Sequence, residues 1–170
     1  MNEIKRHEQI SIVIKSLSII LLLLPMVINV VTVRMSNSNL FSVDMTTIYA
    51  NVKLDSALSQ SAQNSLESDF ASIALVHMIL SLLVILLLLG SVFLTYRNRS
   101  KSSGLLTTIA GIFTFILFIR FYTLNSINGA EVANLAPNTF VVNFGLGYYL
   151  LVLVTPLLFI SAFVKFVIKD

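Results

Sequence analysis

The chain has 170 residues, of which 56% are hydrophobic and 11% are charged, with a formal net charge of +3 and no cysteine. Soluble domains carry about 25% charged residues, so this composition indicates a membrane protein with little left over for a separate soluble domain. The lack of cysteine excludes disulfides, thiolate metal sites and a cysteine nucleophile, and no basic run interleaved with aromatic residues indicates nucleic-acid binding.

The first apolar segment, residues 10–33, follows a short polar start that contains Lys5 and Arg6. The segment is long for the apolar core of a signal peptide, and no small-residue cleavage site follows it, so we predict a retained transmembrane helix. Proline removes a helical hydrogen bond, so a kink is expected in the middle of the segment at Pro25. Small and polar residues recur every three or four positions on one face, which should turn toward neighbouring helices. That face is formed by Ser18, Leu22, Pro25, Asn29 and Thr32.

The second apolar segment, residues 71–96, is uncharged up to residue 95 if its histidine is neutral. A bilayer core of about 30 Å needs about 20 helical residues, so this segment predicts a second transmembrane helix. The external segment before it, residues 34–70, contains neither Gly nor Pro from Lys53 onward. Apolar residues every four positions predict an amphipathic helix that either projects from the membrane or breaks near Asp69. Its candidate external docking face consists of Leu54, Leu58, Ala62 and Leu66.

Two further apolar segments complete the pattern. A basic turn at 97–103 precedes a third helix at 104–122, and a loop at 123–139 precedes a fourth helix at 140–165. The predicted fold is an all-α integral membrane protein, with four transmembrane helices in an antiparallel bundle and a partly helical first external loop. Four small residues predict close packing of the third helix against its neighbours. They are Thr107, Ala110, Gly111 and Thr114.

The distribution of cations predicts how the chain crosses the membrane. Lys and Arg are enriched in cytoplasmic loops. Three of these residues, Arg34, Lys53 and Arg120, fall on the side of the 34–70 segment. The other eight fall on the opposite side, so both termini are expected to face the cytoplasm. The membrane is expected to be the cell or plasma membrane. These eight are Lys5, Arg6, Lys15, Arg97, Arg99, Lys101, Lys165 and Lys169.

Four polar residues are expected at similar depth in the outer third of the membrane, where they could share a pocket. They are Asn29, His77, Arg120 and Asn143. An ionisable residue inside a membrane is a functional candidate, although His77 without a second ligand also fits a packing role on a face with Ala74 and Ser81.

Arg120 allows two interpretations. Its side chain either reaches into the headgroup region beside Tyr122, or it pairs with an acidic residue of the external segments. The acidic candidates are Glu131, Asp69 and Glu67.

The helix layout and the GLGYYL stretch, with its Gly-x-Gly-aromatic core at residues 145–149, resemble the claudin and PMP22-type tetraspan membrane proteins. The resemblance implies four crossings with a long first and a shorter second external loop. The W-x-L-W signature and the loop cysteines of that group are absent, and the chain has no Trp.

No catalytic motif is present: the sequence contains no HExxH, GxSxG or Walker loop, and no carboxylate lies in an apolar segment. We therefore expect no enzymatic activity, cofactor or metal. The leading hypothesis is an accessory or regulatory subunit embedded in the lipid bilayer. Its partner would be a membrane protein, an external protein or a second copy of the chain. The alternatives are an oligomeric pore or small transporter, and a protective factor against a membrane-active toxin.

Overall fold

The computed structural model describes residues 6–35, 41–56, 59–97, 99–124 and 140–167. This part of the chain is mostly helical, and four of its helices are long and apolar enough to cross a membrane, which confirms that part of the prediction. The helices are α1 (Arg6–Leu23), α2 (Gln60–Tyr96), α3 (Ser100–Thr123) and α4 (Leu146–Val167).

The helices alternate in direction around one apolar core. Side chains of α1 near Lys15 contact the end of α2 and the start of α3, and Ser11 of α1 contacts Ser161 of α4. We call this the terminal end of the bundle, and the opposite end, where α1 finishes, the sheet end. The layers between them are filled by fully buried aliphatic side chains, as expected of a packed helix bundle. These include Val84, Leu88, Leu117, Leu151, Val154 and Leu158.

A four-stranded antiparallel β-sheet lies at the sheet end, so the all-α prediction is wrong in this part of the molecule. The sheet has the order β3-β2-β1-β4, and strand β1 pairs with β4 although more than one hundred residues separate them in sequence. The strands are β1 (Val31–Met35), β2 (Phe41–Met45), β3 (Ala50–Leu54) and β4 (Phe140–Phe144).

The two strands next to α1 and α4 correct the predicted ends of the first and fourth transmembrane segments. The predicted helix at 10–33 ends at Leu23, and a short 3₁₀ turn that contains Pro25 leads into β1. Proline ends the helix here, and the β-branched residues that follow favour an extended chain. Likewise, the predicted helix at 140–165 begins with β4, and α4 starts only after Gly145.

Helix α2 runs without a break over 37 residues, which corresponds to about 55 Å at 1.5 Å per residue. Of the two predicted alternatives, the structure has the continuous, projecting helix. Its start differs from the prediction, because Leu54 closes β3 and the helix begins at Gln60. The projecting part packs against the protein's own sheet: Leu66 and Phe70 are buried, and the rings of Phe70 and Phe41 lie 5.6 Å apart.

The sheet has one buried and one polar face. In β2, Phe41, Val43 and Met45 are buried, whereas Ser42 and Asp44 between them are half-buried. This alternation is that of a strand with one face on a core and the other toward solvent.

The predicted close-packing face of the third helix is confirmed. The small residues of α3, from Thr107 to Thr114, are buried, and Gly111 contacts the ring of Phe159 on α4. In α2, Ala74, His77 and Ser81 are also buried. The small side chains among them allow the helix backbones to approach closely.

The face predicted on the first helix is wrong beyond Leu22, because α1 ends at Leu23 and Asn29 and Thr32 lie after the 3₁₀ turn.

Candidate functional sites

The polar face of the sheet has a chain of hydrogen bonds across its strands. The Asn29 side-chain amide donates to Thr32 Oγ1 at 2.7 Å, and the Thr32 hydroxyl donates to Asp44 Oδ1 at 2.8 Å. The other carboxylate oxygen of Asp44 lies 3.6 Å from Lys53 Nζ. The links join Asn29, which follows the 3₁₀ turn, to strands β1, β2 and β3. Thr32 at their centre is buried, and Asp44 and Lys53 are the accessible members.

Two glycines hold this sheet tightly on the end of α4. A Cβ on Gly145 would overlap the Asn29 carbonyl oxygen, and a Cβ on Gly147 would lie 3.0 Å from the same oxygen. The Gly147 N–H donates to the Asn29 carbonyl and the Gly145 N–H donates to the Val30 carbonyl. Only residues without a side chain allow this approach of backbone to backbone. The GLGYYL stretch therefore serves to join the sheet to the bundle.

A second polar site lies inside the bundle at the terminal end, around Lys15. The Lys15 side chain is 2% exposed, and its Nζ donates to Ser103 Oγ at 2.7 Å and to Thr95 Oγ1 at 3.1 Å. Ser91 Oγ lies 2.9 Å from Ser103 Oγ and 2.6 Å from Thr107 Oγ1. Hydroxyls spaced four residues apart on α2 and α3 thus form one network with the ammonium of α1.

Helix α4 joins this region through Ser161, whose Oγ lies 3.1 Å from Ser11 Oγ. Between these groups is a void of about 20 Å³, which is room for about one water molecule. Glu8 also lines the void and is 6% exposed, although it forms no ion pair with Lys15. The arrangement can therefore hold a bridging water, and it connects all four helices by polar contacts.

The sequence signal for this network is the repeat of hydroxyl residues at helical spacing. Ser91 and Thr95 lie four residues apart, as do Ser103 and Thr107. Sequence reasoning treats Lys15 only as a cation that marks the cytoplasmic side, and therefore misses its role as the centre of a buried site.

The four predicted outer polar residues do not form one pocket. Asn29 bonds to Thr32, and Asn143 on β4 is in register with Thr32 on its other side, so these two belong to the sheet. His77 is fully buried and packs its ring 4.1 Å from the ring of Phe121, whereas Arg120 is exposed.

His77 and Arg120 also lack the predicted polar partners. Neither ring nitrogen of His77 has a hydrogen-bond partner among the described residues. Arg120 forms no ion pair with Glu67 or Asp69 in the same part of the chain, and Glu131 lies outside it. Arg120 is exposed at the sheet end of α3, and its place in the headgroup region stays a prediction.

The predicted external docking face does not form as one helical surface. Leu54 lies in strand β3, and Leu66 is buried against the sheet, where no partner can reach it. Leu58 and the side chain of Ala62 lie outside the described residues. The exposed surface in this region is instead formed by β3 and the first turns of α2.

A groove lies between α2 and the β2–β3 hairpin. It is open, encloses about 290 Å³ and has an apolar lining, with Tyr49 and Leu75 each about half exposed. The residues that line it are Ile48, Tyr49, Ala50, Ala71, Ala74, Leu75 and Met78.

The described residues contain no group of three or more His, Asp or Glu side chains that could hold a metal ion. No protein-family model matches the chain, and a comparison with curated proteins finds no similar sequence. The fold itself defines the class: a mostly helical protein with four helices capable of crossing a membrane and a small β-sheet at one end of the bundle.

Proposed function

We propose that this protein is a non-enzymatic tetraspan membrane protein that acts as an accessory or interaction subunit of a membrane protein complex. The observation that carries the proposal is the sheet, which combines a buried face with an ordered polar face at the sheet end of the bundle. Segments far apart in sequence build this sheet, and the glycines at 145 and 147 hold it against the helices. A rigid polar surface in this position is suited to recognition of another protein.

The cation distribution supports a cell-membrane orientation with the sheet outside and both termini inside. Arg97, Arg99 and Lys101 lie at the α2–α3 turn of the terminal end, next to the buried Lys15. The sheet end has fewer cations, and Asp44 compensates Lys53 there. The positive-inside rule therefore favours the terminal end as the cytoplasmic one.

The interior of a single bundle does not itself supply the pore of the alternative hypothesis, which is an oligomeric one. Apolar side chains such as Val84, Leu117 and Leu151 fill the layers between the network at Lys15 and the sheet. His77, one of the four candidate outer polar residues, is packed against Phe121. A polar path through the membrane would therefore require several copies of the chain. Protection against a membrane-active toxin stays a prediction, which the neighbouring genes would test.

The decisive experiment is site-specific photo-cross-linking in the host membrane. Asn51, on the exposed side of β3, is replaced by p-benzoylphenylalanine in the full-length protein, and the same replacement at Val13 on the outward-facing side of α1 serves as the control. The proposal expects one defined protein adduct at Asn51 that is absent at Val13. Absence of any protein adduct at the sheet, together with recovery of the unmodified chain alone from mild detergent, would overturn it.

A further inference from the structure

Strand β3 is an edge strand. In the described part of the chain, β3 pairs with β2 on one side and has no strand on the other. Half of the backbone N–H and C=O groups of such a strand face away from the sheet and can pair with an added strand. Its side chains alternate between half-buried and exposed.

The apolar groove described above lies at the start of this strand, beside the β2–β3 turn. Ala50 belongs to both the strand and the groove, and the opposite wall is α2 with Ala71, Leu75 and Met78. An edge strand next to a groove that accepts side chains is the arrangement by which proteins bind extended peptides: the backbone gives affinity and the groove gives specificity.

The position of the groove along α2 restricts the partner. Residues 71–78 are the first turns of the uncharged apolar segment of this helix, so the floor of the groove lies at the level of the membrane surface. In another protein of the same membrane, a segment next to a transmembrane helix is positioned at the membrane surface by that helix. A soluble peptide would have to give up part of its hydration to enter the headgroup region.

Charge restricts the partner further. Glu67 lies one helical turn before Ala71 on the same face of α2, is exposed, and forms no ion pair with any other described residue. One exposed carboxylate, that of Glu67, therefore lies one helical turn beyond the groove, on the side away from the apolar segment. A second copy of this chain paired along β3 would bring Lys53 to the polar face of the combined sheet, where Asp44 already contacts it, and not to Glu67.

We propose that β3 and the adjacent groove bind an extended external segment of a different membrane protein, which adds to the sheet as a fifth strand. The segment lies directly outside one of the partner's transmembrane helices, seats an apolar side chain in the groove and places a cationic residue near Glu67. This inference rests on the proposed interaction function and names the chemistry of the partner.

The test places p-benzoylphenylalanine at Tyr49, a groove residue that is 50% exposed. After irradiation of the full-length protein in its host membrane, the expected product is one heterotypic adduct. Peptide mapping should locate the cross-link within about ten residues of a transmembrane helix of the partner, a reach of about 33 Å for an extended chain.

Two variants of α2 and two matched controls test the site itself. Ala71→Phe fills the groove, and Glu67→Lys reverses the charge one helical turn beyond it; each is expected to lower the adduct yield at least tenfold. Ser72→Phe and Asp69→Lys place the same side chains on other faces of the same helix turns and should leave the yield within twofold.

Four outcomes would overturn the inference: an adduct that neither groove variant changes, an adduct with a soluble protein, an adduct with a second copy, or no protein adduct at Tyr49. A protein adduct at Asn51 without one at Tyr49 would reject the groove and leave the interaction function standing. Loss of adducts at both positions would reject both.

Discussion

Lys15 Nζ donates a hydrogen bond to Ser103 Oγ at 2.7 Å, between residues that are 88 positions apart in sequence. Both side chains are almost completely buried. An ammonium in such a place is stable only if its donors find acceptors, and Thr95 supplies the second. The contact therefore joins α1 to the α2–α3 hairpin inside the bundle, beside the void that has room for about one water molecule.

This hydrogen bond predicts that substitutions of Lys15 and of Ser103 change the free energy of unfolding by different amounts. In Lys15→Met, the hydroxyls keep partners, since Thr95 Oγ1 donates to the Ser91 carbonyl and Ser103 Oγ lies 2.6 Å from Thr95 Oγ1. The free energy of unfolding in detergent should therefore change by less than about 1 kcal/mol, as for other buried charges replaced by apolar groups. Ser103→Ala leaves the ammonium short of an acceptor and should cost about 2 kcal/mol.

A double-mutant cycle measures the coupling of these two residues. Combined with Lys15→Met, the Ser103→Ala change should cost less than it does alone, with a coupling of about 1–2 kcal/mol. Thr114→Ala is the control, because its hydroxyl bonds to the Ala110 carbonyl of its own helix and its effect should add to that of Lys15→Met. Additive costs for Lys15 and Ser103 would contradict the network.

For His77 we expect removal of the polar side chain to stabilise the protein, in contrast to removal of the Ser103 hydroxyl. Its ring is fully buried and neither nitrogen has a partner in the described part of the chain, so the imidazole bears an uncompensated desolvation cost. Replacement by Leu, which has a similar volume, should raise the free energy of unfolding by about 1–2 kcal/mol. His77→Gln retains an unpaired polar group and should give no such gain. A loss of stability in His77→Leu would instead indicate that the ring binds a polar partner in the membrane.

Gly145 and Gly90 form a matched pair of substitutions. An alanine at 145 would collide with the backbone carbonyl of Asn29, which cannot move without distorting the sheet. We expect Gly145→Ala to lower the thermal unfolding midpoint strongly, with a cost of about 2–4 kcal/mol as for other strained or overpacked sites. At Gly90, in α2, the nearest atom is the flexible Leu106 Cδ1 at 3.4 Å, so Gly90→Ala should be neutral or stabilising by about 0.5–1 kcal/mol. Equal effects at the two positions would contradict the tight junction.

The helices could be predicted from the sequence because their signal is local. A run of apolar residues long enough to cross a membrane is recognisable in one window, and the buried faces at His77 and Thr107 follow from helical spacing within a few turns. Pro25 and Gly145 can also be located from the sequence alone. A proline or a glycine inside an apolar run fits a kinked helix as well as a helix end, however, and at these two positions it marks the boundary between a helix and a strand.

The sheet was not predicted, for three physical reasons. Strands β1 and β4 join apolar runs directly, and a short apolar strand there has the same composition as a helix end. The alternation in FSVDM and ANVKL, with Asp44 and Lys53 on one face, is a real strand signal, but each strand is only 5 residues long and offers few repeats of the pattern. The pairing of β1 with β4 is non-local, and no single window of sequence contains it.

The buried site was missed because each of its members has a simpler interpretation alone. Lys15 near a predicted cytoplasmic end counts as a topology signal. Serine or threonine in a membrane helix usually bonds its own backbone, as Thr114 does. Only the packing of α1 against the α2–α3 hairpin brings Lys15 and Ser103 together.

The orientation of the molecule in the membrane can be measured by labelling single introduced cysteines. The chain contains no cysteine of its own, so no native thiol has to be replaced first. Asn51→Cys places a thiol on the exposed side of β3, and Lys101→Cys places one in the exposed first turn of α3 at the other end of the bundle. The cation distribution predicts that a membrane-impermeant maleimide labels Asn51→Cys in intact cells and labels Lys101→Cys only after permeabilisation. Both substitutions are at exposed positions, so each should change stability by less than about 0.5 kcal/mol. Labelling of Lys101→Cys in intact cells would place the basic turn outside, and the sheet could then no longer serve as an external recognition surface.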